Sequence, residues 1–429
     1  MTRTRPPRAA SVSGGLASIV GGSVAGQGVV VVGYPLLTRL YDPAEFGLLT
    51  VFTSIVGILA VLSTASLETA IPIPGEDREA TAVAWAGIGF VVLTALVTGA
   101  LGWVVAAPLG RLLGVPALAG FWWLVPWTVL ALGIYQLLSD WMVRERSYPA
   151  LGRRNLFQGV GQVSTQAALG CAGAGAGGLL LGLGVGRLCA MGGLLSHRGL
   201  LRQPWPGLAS VRAAVRRFRR FPLLAAPSTL LNSAGLDIPM LITSAVYGDA
   251  RAGLLGLTVR VVGTPSAIIG QAAYQVFTGE SGARLRRADG QLGFAVRGAA
   301  LRLCAVGLLP AVALVAAGPQ LFGLVFGQRW IEAGDYARLL AVAYLAQFVV
   351  TPVGSTLALL ERQGQQLGWA ALRLTLTAGC PLVCGIVHAP IKSAIIGLCC
   401  AHVLSYLLLY ALCVRAADAS DRTDRVRSG

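Results

Sequence analysis

The sequence predicts an all-α integral membrane protein of about 12 transmembrane helices, built as two parallel six-helix repeats. Three observations predict it. Mean hydropathy is +0.70, with 55% of residues hydrophobic and 12% charged, against roughly 25% charged in soluble domains. Apolar windows of the roughly 20 residues that a bilayer-crossing helix needs recur along nearly the whole chain. Finally, Tyr41-Asp-Pro-Ala-Glu-Phe-Gly-Leu-Leu49 aligns without a gap on Tyr247-Gly-Asp-Ala-Arg-Ala-Gly-Leu-Leu255, with five of nine positions identical. Both segments fall at the outer turn between the first two spans of a six-span half. Six is even, so both halves enter the membrane in the same direction. The repeats are then related by an axis along the membrane normal, with the substrate site at their interface.

The expected spans are 12–38, 46–72, 81–107, 117–142, 153–173 and 176–196 in the first half. In the second half they are 222–246, 252–278, 293–317, 335–360, 366–388 and 393–414. The basic start (Arg3, Arg5, Arg8) leads into an apolar run too long for a signal peptide and without a small-residue cleavage site, so it reads as an uncleaved first span. These boundaries give an N-terminal lobe (1–196), a linker (197–221), a C-terminal lobe (222–414) and a polar cytoplasmic tail (415–429), the last expected to be disordered. In the linker, Leu208, Val211, Val215 and Phe218 recur at helical spacing, with Arg212, Arg216, Arg219 and Arg220 opposite. That pattern fits a basic amphipathic helix on the cytoplasmic leaflet, or a linker that simply obeys the positive-inside rule.

The formal net charge of +16 invites a nucleic-acid reading, which the distribution of charge defeats. With the N-terminus cytoplasmic, and Arg153, Arg154 and Arg338 at span edges counted with the adjoining loops, 23 of the 34 basic residues lie in cytoplasmic segments and 6 in outside loops. The basic excess is topological, and both termini are expected in the cytoplasm. The eight cysteines (Cys171, Cys189, Cys304, Cys380, Cys384, Cys399, Cys400, Cys413) all sit in apolar segments and read as packing residues. The three histidines (His197, His388, His402) have no zinc spacing, and no Walker A sequence is present. Gly178, Gly182 and Gly186 mimic a phosphate loop but lie inside a span, where four-residue spacing makes a close-packing helix face. No metal, cofactor or enzymatic nucleophile is expected.

Charges inside spans cost about 2.5–3.5 kcal/mol each, so every one needs a partner, a water-filled cavity or a route to the interface. Arg260 lies near mid-depth in the eighth span and Asp237 past the midplane of the seventh. Together they read either as a cationic site for a phosphate-bearing substrate with an accompanying acid, or as a structural ion pair between helices. Arginine suits phosphate because its planar fork donates bidentately and stays charged. Glu68 sits near the cytoplasmic end of span 2, and Arg39 caps the outer end of span 1. For Arg187, Arg302 and Arg373 the reading is snorkelling or helix pairing. Asn232, Gln271 and Gln275 are candidates either to hydrogen-bond sugars or to satisfy helix packing. Helix-breaking prolines fall in both halves, at Pro35, Pro227, Pro239, Pro265 and Pro352, where freed backbone groups must be re-satisfied or line a cavity.

The stretch TRLYDPAEFGLLTVFTSIVGILAVLSTASLETAIPIP (38–74) resembles the opening of bacterial oligosaccharide flippases of the polysaccharide-transporter type, the Wzx-like members of the multidrug/oligosaccharidyl-lipid/polysaccharide (MOP) exporter superfamily. FPLLAAPSTLLNSAGLDIPMLITSAVYG (221–248) and GLLGLTVRVVGTPSAIIGQAAYQVF (253–277) resemble that family's spans 7 and 8, and LFGLVFGQRWIEAGDYARLL (321–340) its connection into span 10. The resemblance implies a two-lobed bundle around a central cavity lined mainly by spans 1, 2, 7 and 8. It implies movement of an undecaprenyl-pyrophosphate-linked oligosaccharide to the outer leaflet of the bacterial inner (plasma) membrane by alternating access. It also implies partners such as a polysaccharide polymerase and a chain-length regulator. Arg260 matches a basic position of the span-8 pattern, Arg39 the basic residue before the first outer turn, and Glu68 an acid before the loop to span 3. Asp237 departs from the pattern, where an amide is more usual.

Three functions compete on these grounds. A lipid-linked oligosaccharide flippase for O-antigen, capsule or exopolysaccharide synthesis uses the arginines to hold pyrophosphate. A cation-coupled exporter of small amphiphiles from the same superfamily needs a decisive acid in a less basic cavity, which the mid-depth Arg260 argues against. A membrane oligosaccharide polymerase or ligase needs a large catalytic outer loop, and the longest expected here is 318–334.

Overall fold

Inside a bilayer no water takes up free N–H and C=O groups, so the chain satisfies them within helices. The computed structural model describes residues 12–145, 147–195, 199–200, 203–287 and 291–428; Arg3, Arg5, Arg8 and His197 lie outside the described residues. The first half comprises α1 (Val12–Leu40), α2 (Pro43–Thr64), α3 (Asp77–Leu112), the single turn α4 (Leu118–Phe121), α5 (Leu124–Arg144), α6 (Tyr148–Cys171) and α7 (Ala176–Leu195). The linker carries α8 (Leu208–Arg217). The second half begins with a π turn (Phe221–Ala225) that runs into α9 (Ala226–Tyr247). It continues with α10 (Asp249–Thr258), a second π turn (Val259–Gly263), α11 (Thr264–Arg287) and α12 (Leu292–Phe326). The last helices are α13 (Ile331–Val353), α14 (Ser355–Leu359), α15 (Gln363–Ile386) and α16 (Ile391–Ser428).

Each of the twelve expected spans falls on a long helical segment. Eight helical stretches among the described residues are long and apolar enough to cross a membrane, which makes this an all-helical, multi-pass integral membrane protein. α1 and α7 contribute shorter apolar stretches among the described residues, Val24–Leu40 and Ala176–Gly192, whereas α5 and α6 are too polar for that mark. In α6 the cause is visible: Gln158, Gln162 and Gln166 dilute the apolar run. They pay for their presence by packing, because Gly178, Gly182 and Gly186 form the close face of α7 against α6. An ideal Cβ at Gly182 would lie 2.3 Å from Gln166 Cγ, and one at Gly186 2.8 Å from Gln162 Cβ.

The halves meet where the aligned segments lie. A Cβ at Gly47 would fall 2.0 Å from the Asp249 carbonyl oxygen, and one at Gly253 would fall 1.8 Å from the Pro43 carbonyl oxygen. In the alignment Gly47 corresponds to Gly253 and Pro43 to Asp249, so the two contacts exchange equivalent positions, as an isologous interface does. Trp330, 1% exposed, completes this end. It packs edge-on against Phe46 with centroids 4.9 Å apart, and its Nε1 donates to the Thr38 carbonyl at 3.0 Å. Arg329 pairs with Asp42 beside it, and Ser244 Oγ donates to the Leu113 carbonyl at 2.7 Å.

Both π turns end two residues before a proline, at Pro227 and Pro265. Proline has no N–H to give and its ring crowds the preceding turn, so the helix widens just upstream. The second π turn contains Arg260.

Four expectations need correction. Span 2 was expected to run to 72, but α2 stops at Thr64 because Ala65 and Ser66 adopt left-handed φ of 51° and 57°. Glu68 therefore sits in a short 3-10 turn (Leu67–Ala70) beyond the helix. The expected outer loop 318–334 is mostly helical, since α12 continues to Phe326 past a kink at Ala317. Most of the expected apolar face of α8 is covered by protein: Val211, Ala214, Val215 and Phe218 pack with Ala80, Val83 and Leu67 of the first half and Arg217 pairs with Glu79, while Leu208 stays exposed. The tail is not disordered over 415–428 but extends α16. There Asp418 pairs with Arg297, and the Asp421 carboxylate accepts the N–H groups of Leu292 and Gly293 at 2.9 Å each. Those N–H groups are orphans of the α12 N-terminus. Asp421→Ala is expected to cost about 1–2 kcal/mol, read as a lowered thermal unfolding midpoint in detergent, whereas Asp421→Asn keeps part of the stability.

Candidate functional site

Between the halves lies a cavity of about 600 Å³, inside the range that encloses substantial ligands. Its polar lining comes from Gln27 of α1, Thr50, Thr53 and Ser54 of α2, Asp237 of α9, Arg260 of the π turn, Gln271 and Gln275 of α11, Tyr344 and Gln347 of α13, and His402 of α16. Apolar groups such as Leu236, Met240, Ile268, Leu340 and Leu398 fill the rest.

Arg260 dominates this cavity. It lies eleven residues past Asp249, about 17 Å along the helix at 1.5 Å per residue. Its Nη1 donates to Thr50 Oγ1 at 2.9 Å and its Nη2 to Thr53 Oγ1 at 2.8 Å. Both hydroxyls already donate to carbonyls within α2, Thr50 to Phe46 at 2.8 Å and Thr53 to Leu49 at 2.8 Å. They are therefore oriented to accept, and they hold the guanidinium across the junction of the two halves. Gly256 allows the approach: a Cβ there would fall 2.0 Å from Thr50 Oγ1.

Asp237 shares the cavity but forms no ion pair with Arg260 among the described residues. Its Oδ2 faces α2, 3.0 Å from where a Cβ of Gly57 would stand. Among the described residues the hydrogen-bond partners of Arg260 are thus neutral hydroxyls, while Asp237 acts on it through space rather than as an ion pair.

The structure brings together three of the six expected site residues, Arg260, Asp237 and Gln271, with Gln275 beside them. The other three stand elsewhere. Arg39 is exposed at the end of α1, and Glu68 lies in the turn after α2. Asn232 is occupied by packing, because its Oδ1 and backbone carbonyl accept Arg373 Nη2 at 2.9 and 3.0 Å. Arg373 is 4% exposed and also lies over the Trp369 ring at 4.8 Å, so it binds α15 to α9. That is the helix-pairing role expected of it, while Arg302 is exposed on α12. Sequence reasoning missed Gln27, Thr50, Thr53, Gln347 and His402. Gln27 carried a signal as a lone amide in an apolar run. Thr50 and Thr53 carried none, because threonine is unremarkable in a membrane helix.

Comparison with known proteins agrees with this architecture. A solved inward-facing multidrug resistance MATE family transporter of the MOP superfamily superposes with TM-score 0.68 at 15% identity, covering 95% of this chain and 99% of that one. The lipid II flippase MurJ superposes with TM-score 0.71 at 8% identity, covering 94% of this chain and 90% of that one. The fold is thus that of a MOP superfamily transporter. Residues 36–335 match the family described as "Polysaccharide biosynthesis protein", and the chain belongs to that family. A relative, the succinoglycan biosynthesis transport protein ExoT of Rhizobium meliloti (strain 1021), is 26% identical over 419 residues, 92% of this chain and 78% of that protein. This is a multi-pass membrane protein of a polysaccharide biosynthesis family, with the fold of a MOP superfamily transporter.

Proposed function

We propose that this protein is a flippase that carries an undecaprenyl-pyrophosphate-linked oligosaccharide repeat unit across the bacterial plasma membrane. The observation that carries the reading is Arg260, a guanidinium held between the halves by two threonine hydroxyls with no carboxylate paired to it among the described residues. Its fork meets the pyrophosphate while Gln271 and Gln275 meet sugar hydroxyls, and the lipid tail stays in the bilayer. Twelve spans in two parallel repeats form a two-lobed bundle, and exchange of equivalent positions between Gly47 and Gly253 supports the two-fold relation. With both termini cytoplasmic, the end sealed by Trp330 is the outer one, so this state loads from the cytoplasm. Breaking that seal while closing the other end completes alternating access. A polymerase and a chain-length regulator are the expected protein partners.

Deleting the gene in its host tests this. The expected result is loss of surface polysaccharide with one undecaprenyl-pyrophosphate-linked repeat accumulating on the cytoplasmic leaflet. Unchanged polysaccharide with altered sensitivity to small cationic compounds would replace the reading by a cation-coupled exporter, with Asp237 as the acid to test.

A further inference from the structure

A second cationic pocket lies wholly inside the first half. It has a volume of about 240 Å³ and is lined by Arg154, Arg187, Tyr135, Asn155, Gln158 and Gln27. The guanidinium carbons of Arg154 and Arg187 stand 4.4 and 4.8 Å from the centroid of one ring, that of Tyr135. Tyr135 is 8% exposed and holds its hydroxyl on Asn155 Oδ1 at 3.3 Å. Arg154 donates to Asn155 Oδ1 through Nε at 3.1 Å and Nη2 at 2.8 Å, and its Nη1 contacts Ser139 Oγ. Arg187 Nη1 donates to Gln158 Oε1 at 2.9 Å.

Two positive groups converging on one ring repel each other, and every partner just named is neutral. Neither arginine forms an ion pair among the described residues. Asp140 acts on Arg154 electrostatically and Glu68 acts on Asp140, but neither carboxylate lines the pocket, whose two charged lining residues are both arginines. Helix pairing alone does not call for such an arrangement: one arginine with one amide would tie α6 to α7.

The pocket is built into the backbone. A Cβ at Gly26 would lie 2.2 Å from the Asn155 carbonyl oxygen, and one at Gly159 would lie 2.3 Å from the Gly26 carbonyl oxygen. These contacts lock α1 to α6 and set Gln27 level with Asn155. Gln27 lines both this pocket and the central cavity, so the two are neighbours across α1. On the proposed topology Arg154 is seventeen residues from the outer end of α6, about 26 Å by helical rise. It is therefore nearer the cytoplasm than Arg260.

We propose that Arg154 and Arg187 form a second oxyanion-binding subsite, on the cytoplasmic side of Arg260, that takes a phosphate or carboxylate group of the cargo. That the anion belongs to the cargo rests on the flippase reading; that the pocket binds an oxyanion does not. Oxyanions suit the site because two guanidinium forks converge on a ligand-sized space beside a ring that fixes both. A cargo held here and at Arg260 must carry two anionic centres, or pass from the first site to the second as the halves rock.

The test uses full-length protein in lipid nanodiscs, titrated calorimetrically with inorganic pyrophosphate and, separately, with glucuronate. In the Arg260→Ala variant at least one probe is expected to retain a binding site. Adding Arg154→Gln and Arg187→Gln should weaken that site about 100-fold or abolish it, roughly tenfold for each charge-assisted donor lost. Retention of pyrophosphate points to the carrier's phosphates, retention of glucuronate to a carboxylate on the glycan. Loss of all binding in Arg260→Ala, or equal binding with and without the two glutamines, would overturn the subsite. Should the double substitution fail to insert, Arg187→Gln alone must cost about tenfold, and no loss there overturns the subsite equally. The result is independent of transport: export by Arg260→Ala would sink the flippase site while leaving this binding intact.

Discussion

Arg260→Ala is expected to abolish surface polysaccharide in a complemented deletion strain while the protein inserts at wild-type abundance. The loss removes two charge-assisted donors at about 1.5–3 kcal/mol each, enough for a fall of about 100-fold or more if both act on cargo in transit. Arg260→Lys separates charge from geometry. One ammonium cannot span Thr50 and Thr53 as the two Nη groups do, so lysine is expected to restore little export. Wild-type polysaccharide from a well-expressed Arg260→Ala strain would remove the phosphate role of the central cavity. Thr50→Val with Thr53→Val is expected to act in the same direction more weakly, since the charge stays but its orientation is lost.

The second large effect is expected at the junction of α2 and α10. Gly253→Val places a Cβ where the Pro43 carbonyl oxygen would be 1.8 Å away and the Gly47 nitrogen 2.7 Å away. Backbone on both sides leaves no flexible group to yield, so the helices must part, at an overpacking cost of about 1–3 kcal/mol or more. A penalty confined to the closed end shifts the population toward the opposite conformation about tenfold to 100-fold. The reading is thiol accessibility: with the native cysteines replaced and Gln271→Cys introduced, an impermeant reagent applied outside should label faster by at least about tenfold. Gly47→Val should match it, because the contact is reciprocal. Unchanged labelling in both variants, with intact protein, would show that this junction is not the outer seal.

The sequence made some of this legible and hid the rest for definite reasons. The match of 41–49 with 247–255 marked equivalent positions of the two halves, and the structure shows that these positions pack against each other. Pro265 marked a break where freed backbone groups line a cavity, and the turn just upstream of it carries Arg260 into one. By contrast, Glu68 was placed in a span because hydropathy does not register the left-handed turn at Ala65 and Ser66. The polar tail was expected to be disordered because its partners, Arg297 and the N-terminus of α12, lie more than 100 residues away in sequence.

Arg260 and Arg373 show where the division falls. Each is a lone arginine in an apolar run, and sequence alone determined that both needed a polar setting, because desolvation cost depends on depth in the bilayer. It determined in the same way the all-helical membrane architecture, since hydrocarbon excludes unsatisfied backbone whatever the packing. Only the tertiary structure decided that Arg373 is used up on Asn232 and Trp369 while Arg260 faces a cavity. It also decided that Arg154 and Arg187 meet over one ring. Which way a side chain points depends on the rotation of its helix against its neighbours, and that is set by contacts between residues far apart in the chain.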